Sequence, residues 1–464
     1  MFKMIPGFSM KRRRNWNANG HLCLLLSLLL LARTNRVLAE EDHIDYRHEW
    51  YREDDNRMNV DTDSVLADVT VNKFLKLSGK YVEDAISGAT PTGAPPQSQW
   101  PYPKFADFYQ TAYNQLLQLN AGDPGNLSLL TGGYFATPQD YTNYIASTYN
   151  IAGQATNSAA GSYNSLTNNP NFRNTKVPVT HLRDHRRAFS LNAPITFGVQ
   201  TFTPEVSVSK ESDYHSYGLA LNYAIQLNQK NTTLSGGWSF NNDRVRDDTE
   251  MNWQKKISHD FFVGVNQILT PKSYISFDLT YGTEHGYLSD PYRGVIFLEN
   301  FLQTNPDDAS LTPEVRPRHR DKVTFYTSYT QFITPLNGSL DLGYRFFHDT
   351  SEIFAQTAEV AWHQKFGRNW VLTPSFRYYY QTAANYYYVI VPDFNTKPEF
   401  YSSDYRLSEL QSCTLGLSLT YRLAKHWSAD LSYTRYVMEG LDGQTSQSAY
   451  PAANIFSAGF RLWF

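Results

Sequence analysis

Ile455-Phe456-Ser457-Ala458-Gly459-Phe460-Arg461-Leu462-Trp463-Phe464, the last ten residues of the chain, carry the reading that decides the fold. Phe456, Ala458, Phe460, Leu462 and Phe464 share one parity, and Ser457, Gly459 and Arg461 share the other. A strand places successive side chains on opposite faces, so one face is apolar and the other small or polar. The positions Ser457, Gly459, Leu462 and Phe464, closing on an aromatic residue, resemble the signal read by the bacterial outer-membrane barrel-assembly machinery. The expectation is an all-β transmembrane antiparallel β-barrel.

The other end of the chain agrees. Lys11-Arg12-Arg13-Arg14 is a basic n-region, and Leu22 to Ala32 is an apolar run too short to cross a bilayer as a helix. Val37-Leu38-Ala39 supplies the cleavage positions, which predicts a signal peptide over 1–39 and a mature chain from Glu40, with Met10 as an alternative start. Cys23 falls inside the apolar run and is removed with it, leaving Cys413 as the only mature cysteine and no intramolecular disulfide. Mean hydropathy is −0.49 and no later segment is continuously apolar for the length of a spanning helix. A membrane location then requires a closed barrel, because only that satisfies every backbone polar group within lipid. The 33 Tyr, 28 Phe and 9 Trp suit the aromatic girdles of such barrels. A net charge of −3 gives no reason to expect a nucleic-acid partner.

Alternation recurs along the chain. Tyr217, Leu219, Leu221, Tyr223, Ile225 and Leu227 oppose Ser216, Gly218, Ala220, Asn222, Ala224 and Gln226, and Cys413, Leu415, Leu417 and Leu419 oppose Ser412, Thr414, Gly416 and Ser418. Short turns at 71–74, 191–195, 228–231, 270–273, 334–338, 366–369 and 423–426 alternate with longer connections at 87–180, 287–318, 384–404 and 439–450. With both termini in the periplasm this counts to about sixteen strands, within a bracket of about fourteen to eighteen. The expected strands are 44–53, 58–71, 75–86, 181–191, 195–209, 213–227, 231–244, 251–269, 273–286, 319–333, 339–348, 352–365, 370–382, 405–422, 427–438 and 452–464. The barrel unit is 40–464, and 87–180 is a long outer connection: a lid, a plug or a disordered loop, with helical spacing from Phe105 to Leu119.

Several stretches then carry a family resemblance: Glu53-Asp54-Asp55-Asn56-Arg57-Met58, Asp84 to Ala94, Ser209 to Tyr214, Gly286 to Arg293, Phe376 to Ala384 and Ser403 to Ser408. They resemble the bacterial family known as domain of unknown function 3570, across almost all of the mature chain. The resemblance implies an outer-membrane barrel without an assigned activity, and a setting among periplasmic lipoproteins, thioredoxin-like proteins and flavin transferases. It implies no cofactor for this chain.

Parity assigns Asp278, Glu284, Asp341, Arg345, Glu359, His363, Arg377, Arg422, Asp430 and Arg461 to the lumen. Such charges either brace the wall in cross-strand pairs or line a permeation path, and Arg345 and Arg377 are the first choices for a constriction. His181, Arg183, His185 and Arg187 share one strand face; histidines four apart on a strand lie over about 13 Å apart and form no local chelate. They read as a basic stripe toward lipopolysaccharide phosphates or as the solvated top of a strand. The acidic groups 53–55, 247–248 and 307–308 have no regular ligand spacing, so no metal is assigned. No nucleophile elbow or comparable catalytic signature is present. The expected function is a channel or export conduit for a polar or charged solute. The alternatives are a non-conducting scaffold for periplasmic redox or lipoprotein partners, and an outer-membrane hydrolase.

Overall fold

The computed structural model of the protein describes residues 42–94, 176–246, 252–297, 312–389, 391, 398–422 and 426–464. The proposed signal peptide, the helical stretch from Phe105 and the acidic pairs 247–248 and 307–308 lie outside the described residues. In chain order the strands are β1 (His43–Glu53), β2 (Met58–Thr70), β3 (Lys76–Pro91), β4 (Val179–Asn192), β5 (Ile195–Phe197), β6 (Gln200–Lys210), β7 (Tyr214–Leu227), β8 (Thr232–Arg246), β9 (Trp253–Thr270), β10 (Ser273–Gly286), β11 (Gly294–Val295), β12 (Thr312–Pro313), β13 (His319–Ile333), β14 (Gly338–Asp349), β15 (Phe354–Phe366), β16 (Trp370–Gln381), β17 (Leu410–Arg422), β18 (Trp427–Gly440) and β19 (Ala452–Trp463).

Each wall strand pairs antiparallel with its chain neighbours, and β1 pairs with both β2 and β19, so the sheet closes on itself. At the seam His43 faces Trp463 and Glu53 faces Ala453. The short β5 is the continuation of β4, so the described strands make sixteen crossings, a transmembrane antiparallel barrel. No helix among the described residues is long and apolar enough to cross a membrane, which says nothing against crossing by strands.

The period-two pattern sets the two faces. Leu219, Val263, Leu415, Leu417 and Leu431 are each at least half exposed on the outer face, where an apolar surface suits hydrocarbon. Aromatic pairs border this band. Near the termini Trp370 packs tilted against Tyr421 (4.2 Å) and Trp427 against Phe460 (4.7 Å); near the opposite rim His215 stacks on Trp253 (4.6 Å). Cys413 shares the outer face with Leu415.

The larger departures from the expected boundaries fall at three places. The turn expected at 191–195 lies instead at Gly198-Val199, where Gly198 takes φ 63°, a region open to glycine. Pro194 lacks an N–H and interrupts the ladder without reversing the chain: its carbonyl accepts from Lys76 N (3.1 Å), and Ala193 N donates to the Pro204 carbonyl (3.0 Å). The strand expected from 405 begins at Leu410, because residues 405–407 form a 3-10 turn capped by the Asp404 side chain. The third strand runs on to Pro91 and the fourth starts at Val179, which shortens the long connection to 92–178.

That connection leaves the wall from a closed hairpin base, since Thr92 N still donates to the Pro178 carbonyl at 3.0 Å. Joining Ala94 to Lys176 through a short turn is therefore expected to leave the barrel folded. No described ladder bond is lost, and loop length itself costs little free energy. Heat-modifiable migration checks this, and a variant that no longer folds would point to wall strands inside 95–175.

Candidate functional site

The lumen face holds all ten candidate charges, and most of them are paired across strands. Arg377 binds Glu359 (3.1 Å), His363 binds Asp341 (2.9 Å), and Lys322 binds Glu284 (3.0 Å). Arg461 makes two bonds of 2.5 Å to Asp45, Asp430 takes Arg47 at 2.9 Å, and Arg422 lies over the Trp463 ring. The seam is thus fastened from inside by Asp45–Arg461 and Arg47–Asp430. Asp278 projects over Gly264, whose missing side chain leaves it room. Arg345 lies over the Tyr326 ring at 5.4 Å, and no ion pair to it occurs among the described residues.

The described residues of the connections 287–318 and 382–409, at the rim away from the termini, do not extend as free outer loops. They fold together over the lumen. Gly294–Val295 pairs with Thr312–Pro313, and Val295, Phe297, Val391 and Tyr401 form a solvent-excluded cluster. A second cluster joins Leu407, Tyr386 and Ala384 to Ile353 and Ala355, packed on the wall residues Phe347 and Tyr379. These loops are rich enough in apolar residues to form a small core against the wall, and that burial holds them inward. Gly93 takes φ 97° and lies against the Gly294 carbonyl, so a side chain there would collide with backbone. Gly294 N in turn donates to the Thr92 carbonyl at 2.8 Å, tying the end of β3 to the roof.

A buried charge network centres the roof. The Asp404 side chain is 1% exposed and accepts from Arg316 Nη2 (2.7 Å), Arg406 Nε (2.9 Å) and its own loop's Arg406 N (3.1 Å). Arg293 lies 3.7 Å away, and Arg406 also reaches Asp290. Glu314 binds Arg316 (2.6 Å) and accepts from Asp290 N (2.5 Å) and the Ser402 hydroxyl. Burial by itself would push the Asp404 carboxyl up, but the guanidinium groups of Arg406, Arg316 and Arg293 outweigh it and hold the group far below the ordinary carboxylate range.

Beneath this roof lies a cavity of about 920 Å³ in the lumen. Arg316, Asp404 and Arg406 contribute to its roof, and Arg320, Arg345 and Arg377 to one wall. Glu211 and Asp213, from the turn between β6 and β7, contribute to another, with Tyr287, Tyr292 and Tyr379 between. Of the ten sequence-predicted charges only Arg345 and Arg377 reach this cavity; the other eight lie elsewhere along the lumen face.

The sequence assigns no role to the roof network, although Asp290, Arg293, Asp404 and Arg406 fall within the stretches that carry the family resemblance. Asp290, Arg293, Arg316, Asp404 and Arg406 fall in stretches without period, where spacing carries no contact information. Nor does the sequence assign a role to Asp184, Glu211 and Asp213, whose carboxylate oxygens lie within 4.8 Å of one another, the one such group among the described residues that could hold a metal ion. Asp213 accepts from the Tyr292 hydroxyl, and Asp184 from Ser212 N at 3.2 Å. Burial, then the Asp184 and Asp213 charges, push Glu211 up to about 7. The stripe His181, Arg183, His185 and Arg187 faces outward from β4, with His185 and Arg187 both on Glu83 (2.9 and 3.4 Å).

The family model described as "Protein of unknown function (DUF3570)" matches residues 23–458. No curated protein matches the sequence. Among solved structures, the siderophore receptor PirA from Pseudomonas aeruginosa is 9% identical with a TM-score of 0.40, covering 92% of this chain and 62% of the receptor. CdiB from Acinetobacter baumannii is 8% identical with a TM-score of 0.46, covering 91% and 60%. OmpT, an outer membrane protein of Vibrio cholerae, is 11% identical with a TM-score of 0.39, covering 93% and 100%. The chain thus spans less than two thirds of the first two.

Proposed function

The chain belongs to the DUF3570 family, and from that premise we propose that it is a conduit for a polar or charged solute through the bacterial outer membrane, with the roofed rim outward and the termini in the periplasm. The observation that supports this reading best is the 920 Å³ cavity carrying both signs of charge on its wall. Sixteen strands enclose an aqueous lumen unless it is filled, and the described residues form a roof above a polar chamber. Paired charges such as Glu359–Arg377 stiffen the wall, while Arg345 presents a cation to the chamber. Such a chamber orients an ionic solute by its fixed field.

Planar-bilayer recording of the purified protein tests the reading. Discrete conductance steps are expected, and Arg345→Glu should raise the cation-to-anion permeability ratio several-fold, read from reversal potentials in a salt gradient. Arg377→Gln should change it less, because Glu359 already neutralises that cation. A barrel that stays silent at all voltages and retains a periplasmic protein through purification would replace the conduit with a membrane scaffold.

A further inference from the structure

One feature of the outer face serves neither the chamber nor the ladder. Arg187, Lys210, His215, Arg244 and Lys255 stand directly opposite one another on β4, β6, β7, β8 and β9: Arg187 faces Lys210, Lys210 faces His215, His215 faces Arg244, and Arg244 faces Lys255. All five share the outward parity of their strands, as the exposed Phe189, Val206, Tyr217, Trp238 and Trp253 mark it. Like charges directly opposite in a sheet repel, so an unbroken row of basic residues across five strands is a cost to the isolated wall. Arg187 has Glu83 as a partner, but among the described residues Lys210, Arg244 and Lys255 make no ion pair.

The row lies at the boundary of the lipid-facing band. Two residues nearer the termini, on the same face, stand Phe189 below Arg187, Val208 below Lys210, Tyr217 below His215 and Ile257 below Lys255, while Arg244 has Asn242 and then Phe240 below it. A charge just beyond the apolar band of such a barrel is placed to meet lipid headgroups, not acyl chains. The wall is also stepped there. β6 pairs with β4 only from Arg187 to Asn192, and its turn into β7 leaves β4 rising unpaired on that side. A groove of about 840 Å³ opens in the step, with Tyr81, Phe189 and Val208 as an apolar floor and Arg187, Lys210 and His215 at its edge. Asp184 and Glu211 also border it; Asp184 is occupied by the amides of His185 (2.7 Å) and Ser212 (3.2 Å).

We infer that this row and groove bind a lipid bearing more than one phosphate, the lipid A moiety of lipopolysaccharide, with phosphates on the basic row and an acyl chain on the apolar floor. Five neighbouring strands span about 19 Å, wider than a single phosphate, which favours a polyanionic headgroup. The apolar floor favours a lipid over a free anion. The inference rests on the outward orientation of the roofed rim proposed above, but not on conduction.

The test uses the full protein in non-ionic detergent, with bisphosphoryl lipid A, its dephosphorylated form, dioleoylphosphatidylglycerol and inorganic pyrophosphate as probes. Wild type is expected to retain lipid A in native mass spectra and to bind it best of the four. The triple variant Lys210→Gln, Arg244→Gln, Lys255→Gln should bind at least about tenfold more weakly. Lys272→Gln with Lys365→Gln, near the opposite rim, should bind as wild type. Equal binding of the dephosphorylated lipid or of phosphatidylglycerol overturns the inference, as does an unchanged triple variant. Displacement of lipid A by an equal concentration of pyrophosphate also overturns it, in favour of a free-anion site. Should the triple variant fail to fold, the ranking of the four probes on wild type decides. Because binding is read in detergent, a failed lipid site and a failed conduit are separate results.

Discussion

Asp404→Ala is expected to undock the roof and raise single-channel conductance several-fold while leaving the barrel wall intact. The carboxylate is 1% exposed and is shared by Arg316, Arg406 and Arg293. Removing one partner of a buried ion network leaves the others unpaired away from water, at a cost of about 3–5 kcal/mol. Among the described residues the three guanidinium groups would then have only Glu314 and Asp290 as carboxylate partners, and their mutual repulsion would favour release of the loops. The wall is held by sixteen antiparallel pairings that Asp404 does not touch, so heat-modifiable migration should be unchanged. Trypsin should cleave at Arg293 or Arg316 in the variant and spare wild type. Identical conductance and cleavage in the two proteins would show that the apolar clusters alone hold the roof. The pH dependence follows from the same network. The folded carboxyl titrates below its unfolded value of about 3.9, so its contribution is fully present above that pH and is lost as pH falls through the depressed folded value. Roof-limited conductance should therefore stay flat from about pH 5 to neutrality with respect to this group.

Phe464→Asp, or deletion of Phe464, is expected to reduce assembled barrel in cells strongly while changing the refolded protein little. Phe464 is 47% exposed on the outer face, and its amide donates to the Asp42 carbonyl at 3.0 Å across the seam. At the edge of the apolar band a charged residue costs only about 0–1 kcal/mol, far less than at mid-membrane. A loss of outer-membrane yield beyond that scale, alongside near-normal denaturant stability in vitro, would assign the effect to recognition during assembly. Ser457 and Gly459 face inward on the same strand, where Ser457 meets Ser432 (2.9 Å) and Gly459 makes room for Asp430. Leu462 and Phe464 face outward, so the four residues divide between the faces. Unchanged yield of the Phe464 variants would remove the assembly role.

The sequence by itself determined the wall. Period-two alternation is a local property: each residue's face follows from its parity, so Arg345, Glu359 and Arg377 could be assigned to the lumen without knowing what they meet. Turn placement was nearly as legible, because short polar stretches between alternating runs leave few choices. It failed at Pro194, where a missing N–H resembles a turn, and at 405–409, where a capped 3-10 turn continues the apolar pattern of the following strand. Only the tertiary structure decided the rest. Asp404 meets Arg316 and Arg293 from connections about ninety and more than a hundred residues earlier, and no periodicity links them. The same holds for the five-residue basic row: each cation looks ordinary on its own strand, and the row exists only through registers set by turn lengths and by the break at Pro194. Ladder faces are fixed by neighbours along the chain, whereas roofs, cavities and cross-strand rows are fixed by which distant segments closure of the barrel brings together.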